Sequence, residues 1–240
     1  MRVIGIVVAL VGVVIAAAAV LLVGPIRDPQ RSDDGAAPPS RGTPVTPLAP
    51  LADDLDLVAW AERTTGPTGV PARALTAYGV AERRQRAATP DCGLSWATLA
   101  GVGRVESDHG RLGRADLDAD GVARPSIIGV PLDGSPGLAE IPDTDGGRLD
   151  GDTEFDRAVG PMQFLPATWA RHGADGDDDG VRDPHDLDDA AAAAARYLCA
   201  NGRDTADGDG WWDGVLAYNR SIDYARRVWT AADRYATALA

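Results

Sequence analysis

The chain has 240 residues, of which 45% are hydrophobic and 25% charged, a composition typical of a globular protein with one or two domains. Its formal net charge is −13, from 36 acidic and 23 basic residues, and every basic residue is an arginine. A surface this acidic repels phosphate backbones, which excludes nucleic-acid binding, whereas divalent cations and neutral substrates remain suitable ligands.

The N-terminal 24 residues are predicted to cross a membrane. Residues 3–24 carry no charged side chain, and as a helix they would be about 33 Å long, enough to span the hydrocarbon core. Arg2 lies before this run and favours an N-in orientation. We therefore predict a single-pass signal-anchor in the cell membrane at residues 1–24, with the rest of the chain extracytoplasmic. The alternative is a cleaved signal peptide, which would make the protein secreted.

A disordered linker is predicted at residues 25–52. Residues 24–52 contain seven prolines and show no apolar period. Such a composition buries too little surface to offset chain entropy, so we expect an extended tether. A folded domain, residues 53–240, would then lie outside the membrane.

The folded domain is predicted to be mainly helical, with long acidic loops. Asp53 and Asp54 resemble the N-cap of a first short helix. Further helices are predicted at 71–88, 94–109, 166–172, 187–199, 212–218 and 222–238. Residues 111–160 are rich in Gly, Pro and Asp and are predicted to form a long functional loop, in which 126–130 is either a short strand or an apolar segment.

The chain has two cysteines, Cys92 and Cys199, both in the predicted domain. In an exported protein the expected state is a disulfide, which would stabilise the fold by up to about 4–5 kcal/mol through loop closure. The alternative is a pair of buried free thiols.

Glu106 is an acid on an apolar helix face. It follows Leu99 and Val102 at helical spacing, so the three share the side predicted to pack against the core. A carboxyl group there loses solvation, which raises its pKa and keeps a proton available for general acid catalysis. The alternatives are a glutamate that reaches the surface past the end of the helix and one that pairs with Arg104.

Residues 175–186 have the spacing of a twelve-residue calcium loop. Carboxylates occupy positions 1, 3, 5, 9 and 12, a glycine stands at position 6, and helices are predicted on both sides. The predicted Ca²⁺ ligands are Asp175, Asp177, Asp179, the carbonyl of Val181, Asp183 and Asp186. Position 12 is Asp instead of the usual Glu. The alternative is a solvated loop that caps the next helix, which is also our interpretation of the weaker acidic series at 116–127 and 143–154.

Three motifs occur in a characteristic order. They are Gly103-Arg104-Val105-Glu106-Ser107, Gly160-Pro161-Met162-Gln163-Phe164-Leu165-Pro166 and Ala217-Tyr218-Asn219. Together they resemble the catalytic domain of bacterial lytic transglycosylases, and the calcium-type loop between the second and third is similar to the membrane-bound lytic transglycosylase B branch. The resemblance covers about residues 70–235 and implies a lysozyme-like, goose-type fold.

The resemblance also implies a function in cell-wall remodelling. The protein would be a carbon–oxygen lyase that cleaves the MurNAc-β-1,4-GlcNAc bond of peptidoglycan glycan strands, leaving 1,6-anhydro-MurNAc ends, with Glu106 as the single acid and base. The implied substrate-binding residues are Ser107, Met162, Gln163, Phe164, Tyr218 and Asn219. Ca²⁺ would be structural, and we expect a monomer that contacts the membrane through its N-terminal helix.

Two other functions stay open from the sequence. Asp108, Asp152 or Asp156 in or near the long loop could supply a second carboxylate, which would make the protein a hydrolytic muramidase. A non-catalytic, calcium-dependent cell-wall binding module is the other alternative, although an unused buried acid at Glu106 would only destabilise it.

Overall fold

The structure is a computed structural model that describes residues 38–239. Within them the chain is mainly helical, as predicted. The helices are α1 (Leu57–Thr68), α2 (Ala72–Ala88), α3 (Trp96–Ser107), α4 (Pro166–His172), α5 (Leu187–Leu198), α6 (Gly208–Tyr218) and α7 (Ile222–Thr237), with 3₁₀ turns at Pro90–Cys92 and Ala200–Gly202. A small antiparallel hairpin pairs β1 (Asp116–Leu117) with β2 (Ala123–Arg124).

Helix α3 is the centre of the core and packs against α2, α5 and α7. Two glycines allow this close packing. A Cβ at Gly101 would lie 2.8 Å from the carbonyl oxygen of Val228 on α7, and one at Gly103 would overlap the hydroxyl of Tyr78 on α2. The sequence therefore brings the backbone of α3 into direct contact with its neighbours, which fixes the position of its last turn.

The ends of the helices differ slightly from the prediction. Asp56, not Asp53 or Asp54, caps α1, and its carboxylate accepts from the N–H groups of Val58 and Ala59. Helix α3 ends at Ser107, because the next two residues, Asp108 and His109, already adopt left-handed φ angles of 52° and 61°. Gly110 continues this turn instead of starting it.

The long loop between α3 and α4 is ordered chiefly by its aspartates. The carboxylate of Asp143, for example, accepts from the N–H groups of Asp145, Gly146 and Gly147. Residues 126–130 form no strand; Ile128 makes a single isolated bridge. Side-chain bonds to the backbone thus add to the β1–β2 hairpin and to the scattered backbone hydrogen bonds of this segment.

Residues 38–52, which we call the N-terminal strap, correct the prediction of a disordered linker. The strap lies in extended form across α6 and α7, where Trp212 and Trp229 each donate their indole N–H to the carbonyl of Thr43 at 3.0 Å. Thr46 donates its backbone N–H and its hydroxyl to Asp233, at 2.8 and 2.7 Å.

Apolar side chains also pack the strap against the domain. Leu51 is buried, and Val45 and Leu48 pack against the same core. These three residues recur every third position, a pattern that the high proline content obscured. The strap is ordered because its hydrogen-bonding partners belong to the rest of the domain. A prediction from the composition of the strap alone leaves these partners out.

No helix within residues 38–239 is long and apolar enough to cross a membrane. The predicted membrane segment at 1–24 and the linker residues 25–37 lie outside the described part of the chain.

The predicted disulfide is confirmed. Cys92 and Cys199 are bonded, with a Cα–Cα distance of 5.6 Å across a sequence separation of 107 residues. It connects the 3₁₀ turn before α3 to the end of α5, so it links the first half of the domain to the second.

Candidate active site

Glu106 lies in the last turn of α3, half-buried, with its side chain directed toward α7. Its Oε1 accepts a hydrogen bond of 2.5 Å from the hydroxyl of Tyr224, in the first turn of α7. Glu106 is thus neither a fully exposed surface residue nor paired with Arg104, which binds Asp108 instead. The structure therefore contradicts the pairing of Glu106 with Arg104, and the catalytic role of Glu106 stays a prediction.

The pKa of Glu106 is raised to about 7, chiefly because burial penalises the charged carboxylate. The hydrogen bond from Tyr224 and the positive charge of Arg227 act in the opposite direction and limit the rise. A carboxyl group with this pKa is poised to give and to take a proton near neutral pH.

Ser107 fixes the end of α3 to the second motif. Its hydroxyl donates to the carbonyl of Pro161 at 2.6 Å and accepts from the N–H of Gly110 at 2.7 Å. Because Ser107 is buried and both functions of its hydroxyl are used, it is not free to bind substrate. Its hydroxyl instead links the end of α3, which carries Glu106, to the second motif, which corrects the assignment of Ser107 as a substrate-binding residue.

The second motif forms a tight loop ahead of α4. Met162 is 0% exposed and Phe164 is 2% exposed, so these two side chains pack the loop against the core and do not face a ligand. Their assignment as substrate contacts is corrected accordingly. Gln163 has a left-handed φ of 49°, and its amide donates to the carbonyl of Gly160 at 3.0 Å. The strained backbone turns this side chain back over its own loop.

The third motif closes the same region. Tyr218, at the end of α6, donates its hydroxyl to the carbonyl of Met162 at 2.7 Å, and its ring packs edge-on against Phe164. Burial raises the pKa of Tyr218 well above its usual value, and the nearby charge of Glu106 raises it further. Asn219 caps α6 and accepts from the N–H of Ser221. The three motifs therefore meet at Glu106.

The aspartates proposed as a second carboxylate have other partners. Asp108 pairs with Arg104 and Arg111, and Asp152 pairs with Arg157. Asp156 is fully buried and accepts from the backbone and hydroxyl of Thr144. Within residues 38–239 the charge that shifts the pKa of Glu106 is that of an arginine, not of a carboxylate.

The acidic loop between α4 and α5 brings carboxylates together. Oxygens of Asp175, Asp177 and Asp189 all lie within 4.8 Å of one another. Asp175 also has a buried Oδ1 that finds no hydrogen-bond partner in the described residues. An oxygen of this kind beside two further carboxylates matches the donor set that Ca²⁺ prefers, so the residues present fit the ion.

The third carboxylate of this cluster is Asp189, which the sequence did not predict; the predicted ligands Asp179, Asp183 and Asp186 are not part of the cluster. Asp186 is the N-cap of α5 and accepts from the N–H of Asp188 at 2.7 Å. Asp189 lies on the first turn of α5 and accepts from the N–H groups of Gly176 and Asp183. The loop is therefore three residues longer than the twelve-residue pattern counted from the sequence.

The remaining predicted ligands shape this loop. The carboxylate of Asp179 accepts from the N–H of Val181 at 2.7 Å, and that of Asp183 accepts from the N–H of His185 at 2.8 Å. In the acidic series at 143–154, interpreted from the sequence as a solvated loop, Asp143 and Asp145 form a similar cluster with the buried Asp156, which lies just after the series.

Sequence reasoning missed Tyr224, Arg227 and Asp189. Tyr224 is separated from Glu106 by 118 positions, so nothing short of the packing of α3 on α7 brings the two together. For Asp189 a signal was present, since Asp188 and Asp189 follow the counted loop directly, but a fixed twelve-residue spacing excluded both.

Residues 155–212 match the family model described as Transglycosylase SLT domain. This stretch contains the whole of the second motif, the acidic loop and α5, but not Glu106. The match supports the resemblance to lytic transglycosylases that the motifs indicate. No curated protein matches the chain.

Several solved structures are similar at low identity. One is the Escherichia coli lytic transglycosylase Slt35 in complex with bulgecin A, at 14% identity and a TM-score of 0.43, covering 78% of this chain and 81% of that one. The same Escherichia coli enzyme in complex with calcium gives 16% identity and 0.44, over 78% and 85%. A 36 kDa muramidase/transglycosylase gives 15% and 0.45, over 78% and 85%. Identities and TM-scores this low carry no argument about function. The function of the chain is therefore inferred from the residues of its own site.

Proposed function

We propose that the protein is a peptidoglycan lytic transglycosylase with a lysozyme-like domain, in which Glu106 is the single catalytic acid and base. The observation that carries this proposal is the state of Glu106, a half-buried carboxyl group with a pKa of about 7, held by Tyr224 where the three motifs meet. The family match over residues 155–212 supports the substrate class.

The proposed reaction begins with Glu106 protonated. It gives its proton to the glycosidic oxygen as the bond from that oxygen to the anomeric carbon of MurNAc breaks. The substrate's own N-acetyl group stabilises the positive charge that develops there. The resulting carboxylate of Glu106 then accepts the proton of the MurNAc C6 hydroxyl, whose oxygen bonds to the anomeric carbon. The product is a 1,6-anhydro ring, and no water is consumed.

The surroundings of Glu106 favour this reaction over hydrolysis. A hydrolase with two carboxylates needs the second one beside the scissile bond. Asp108, Asp152 and Asp156 are held by arginines or by Thr144 instead. We therefore assign both proton transfers to Glu106.

We also propose a structural Ca²⁺ in the acidic loop, held by Asp175, Asp177 and Asp189. The ion would neutralise three carboxylates that otherwise repel one another, and it would fix the start of α5 relative to α4. Glu106 is not in this loop, so the ion would stabilise the fold and take no part in the proton transfers.

For the cellular location, we propose that the domain lies on the outer side of the cell membrane, anchored through residues 1–24. The disulfide between Cys92 and Cys199 supports export, because such bonds persist in oxidising compartments. Peptidoglycan lies in the same place.

The test is release of soluble muropeptides from purified peptidoglycan by the full chain in detergent. We expect Glu106→Gln to lower the rate by at least about a hundredfold, since general acid catalysis alone contributes that much. The matched control is Glu62→Gln, an exposed glutamate on α1, which should retain full activity. Equal activity of the two variants would contradict the assignment of Glu106.

A further inference from the structure

A cluster of arginines surrounds an aromatic stack on one face of this acidic protein. His172, at the end of α4, stacks on Tyr197 of α5, with ring centroids 4.6 Å apart and planes at 28°. Four arginines lie close enough for their charges to act on one of the stacked rings, and they define what we call the arginine patch: Arg171, Arg196, Arg203 and Arg220. Arg171 and Arg196 each directly precede a stacked ring in the chain, and Arg203 donates to the carbonyl of Tyr197 at 3.1 Å.

No member of the arginine patch forms an ion pair with another described residue. Ten ion pairs occur within residues 38–239, and none of them uses a member of the patch. After burial, the charges that lower the pKa of His172 are those of Arg171, Arg203 and Arg196. The side chains of Arg171, Arg196 and Arg220 are exposed. In a chain with a net charge of −13 this local excess of positive charge is a distinct feature.

The patch is continuous with the candidate active site. The ring of Tyr197 packs on that of Tyr218 with centroids 5.5 Å apart, and Tyr197 donates its hydroxyl to the carbonyl of Ala217. Tyr218 in turn lies close enough to Glu106 for the charge of that carboxylate to act on it. Two ring-to-ring steps therefore lead from the side chain next to Glu106 to the centre of the patch.

We propose that the arginine patch binds carboxylates on the peptide stems of a glycan strand that is bound at the candidate active site. Guanidinium groups are suited to carboxylates, which they bind through paired N–H donors. Exposed arginines without a partner keep this capacity free. A glycan without charged stems would gain no affinity from these arginines. The patch therefore selects strands that carry charged stems. The inference rests on the proposed function, because it takes peptidoglycan as the substrate.

The test measures binding separately from cleavage. The full chain carrying Glu106→Gln is sedimented in detergent with peptidoglycan, either native or with its carboxylates converted to amides by a carbodiimide and ammonia. The patch variant adds Arg171→Gln, Arg196→Gln and Arg220→Gln; Arg203 is kept because it also holds the end of α5. The control variant adds Arg63→Gln, Arg114→Gln and Arg148→Gln, three exposed arginines that make no ion pair within residues 38–239.

We expect the patch variant to bind native peptidoglycan roughly tenfold more weakly than the control, given the usual strength of exposed charge pairs. Amidation should weaken the control to the same level and leave the patch variant unchanged. Equal binding of the two variants, or binding of the control that survives amidation, would overturn the proposal. So would a loss of binding only when phosphate-bearing polymers are stripped from the wall, since the ligand would then be phosphate. Failure of the proposed function is detected by a different experiment, the cleavage assay, in which the unmodified chain would then release no muropeptides.

Discussion

At the residue scale, the environment of Glu106 combines one effect that raises its pKa with two that lower it. Burial dominates, and the result is a pKa of about 7. The Tyr224 hydroxyl stabilises the carboxylate, because it can donate to the ionised form. A general acid with these partners is active while it is protonated, so the rate should fall as the pH rises through this pKa.

Tyr224→Phe tests this balance. Removing the donor withdraws an effect that lowers the pKa of Glu106, so that pKa rises and the acid stays protonated to higher pH. We expect the alkaline limb of the pH–rate profile to move up by roughly 0.5–1 pH unit. Arg227→Gln should shift the limb in the same direction. The matched control is Arg226→Gln, because this neighbouring arginine pairs with Asp223 instead. A limb that stays in place in Tyr224→Phe would contradict the role of the hydrogen bond.

At the element scale, the last turn of α3 is positioned by glycines and by one serine. Gly101 and Gly103 let the helix approach α7 and α2 without a side chain between them. Ser107 then ties the helix end to Pro161 in the second motif. Glu106 is therefore positioned by close backbone packing, and the residues around it are mostly structural.

The acidic loop is the second element to test, and its proposed role is to hold Ca²⁺. Removing Ca²⁺ with a chelator should lower the melting temperature by several degrees, because an ion present at about a hundred times its Kd stabilises by about 2.7 kcal/mol. Asp189→Asn should abolish this response to chelation, and turnover should fall less than stability does. Melting curves with and without Ca²⁺ provide the measurement.

Two variants of the same loop complete this experiment. Asp178→Asn is the matched control, since Asp178 points to Arg84 and is exposed. Asp186→Asn tests which ligand set is right, because Asp186 belongs to the set predicted from the sequence and not to the cluster in the structure. If the response to Ca²⁺ is lost in Asp186→Asn and kept in Asp189→Asn, the ligand assignment made from the structure is wrong.

Most of the helical fold could be predicted from the sequence, and much of the site could not. Periodicity and proline positions located α4 to the residue, and α5 and α7 to within one residue. Glu106 stood out because it follows an apolar stripe. Met162 and Phe164, in contrast, belong to a motif whose residues are conspicuous but buried. A sequence pattern can identify a loop that belongs to the candidate site, but it does not show which side chains of that loop are exposed.

At the scale of the whole molecule, the N-terminal strap makes the domain larger than residues 53–240. The strap ties α6 and α7 together through Thr43 and Thr46. Any tether between the membrane and this domain is shorter than 25–52 by the length of the strap. Because α7 carries Tyr224, the strap also supports the helix that holds Glu106.

Asp233→Ala tests the contribution of the strap. The carboxylate accepts two hydrogen bonds from Thr46, so its loss should cost about 1.5–3 kcal/mol and lower the melting temperature by several degrees. Hydrogen exchange at residues 43–48 should become faster. The control is Asp54→Ala, an exposed aspartate near the start of α1. Unchanged exchange in Asp233→Ala would show that the strap is held in another way.

The charge of the whole molecule fits a local mode of recognition. A net charge of −13 opposes approach to an anionic polymer over long distances. The arginine patch acts only at contact, where screening is weakest. Recognition of charged stems and a strongly acidic surface are therefore compatible in one protein.

The central claim is that the oxygen that bonds to the anomeric carbon of MurNAc comes from the C6 hydroxyl of the substrate and not from water. The most direct test is to trace the origin of that oxygen. Peptidoglycan is digested by the full chain in water enriched in heavy oxygen, and the muropeptides are analysed by mass. The account predicts 1,6-anhydro ends, one water lighter than hydrolysis products and free of the label, and none of them with Glu106→Gln. Reducing ends that carry the heavy oxygen would contradict it and make the protein a muramidase.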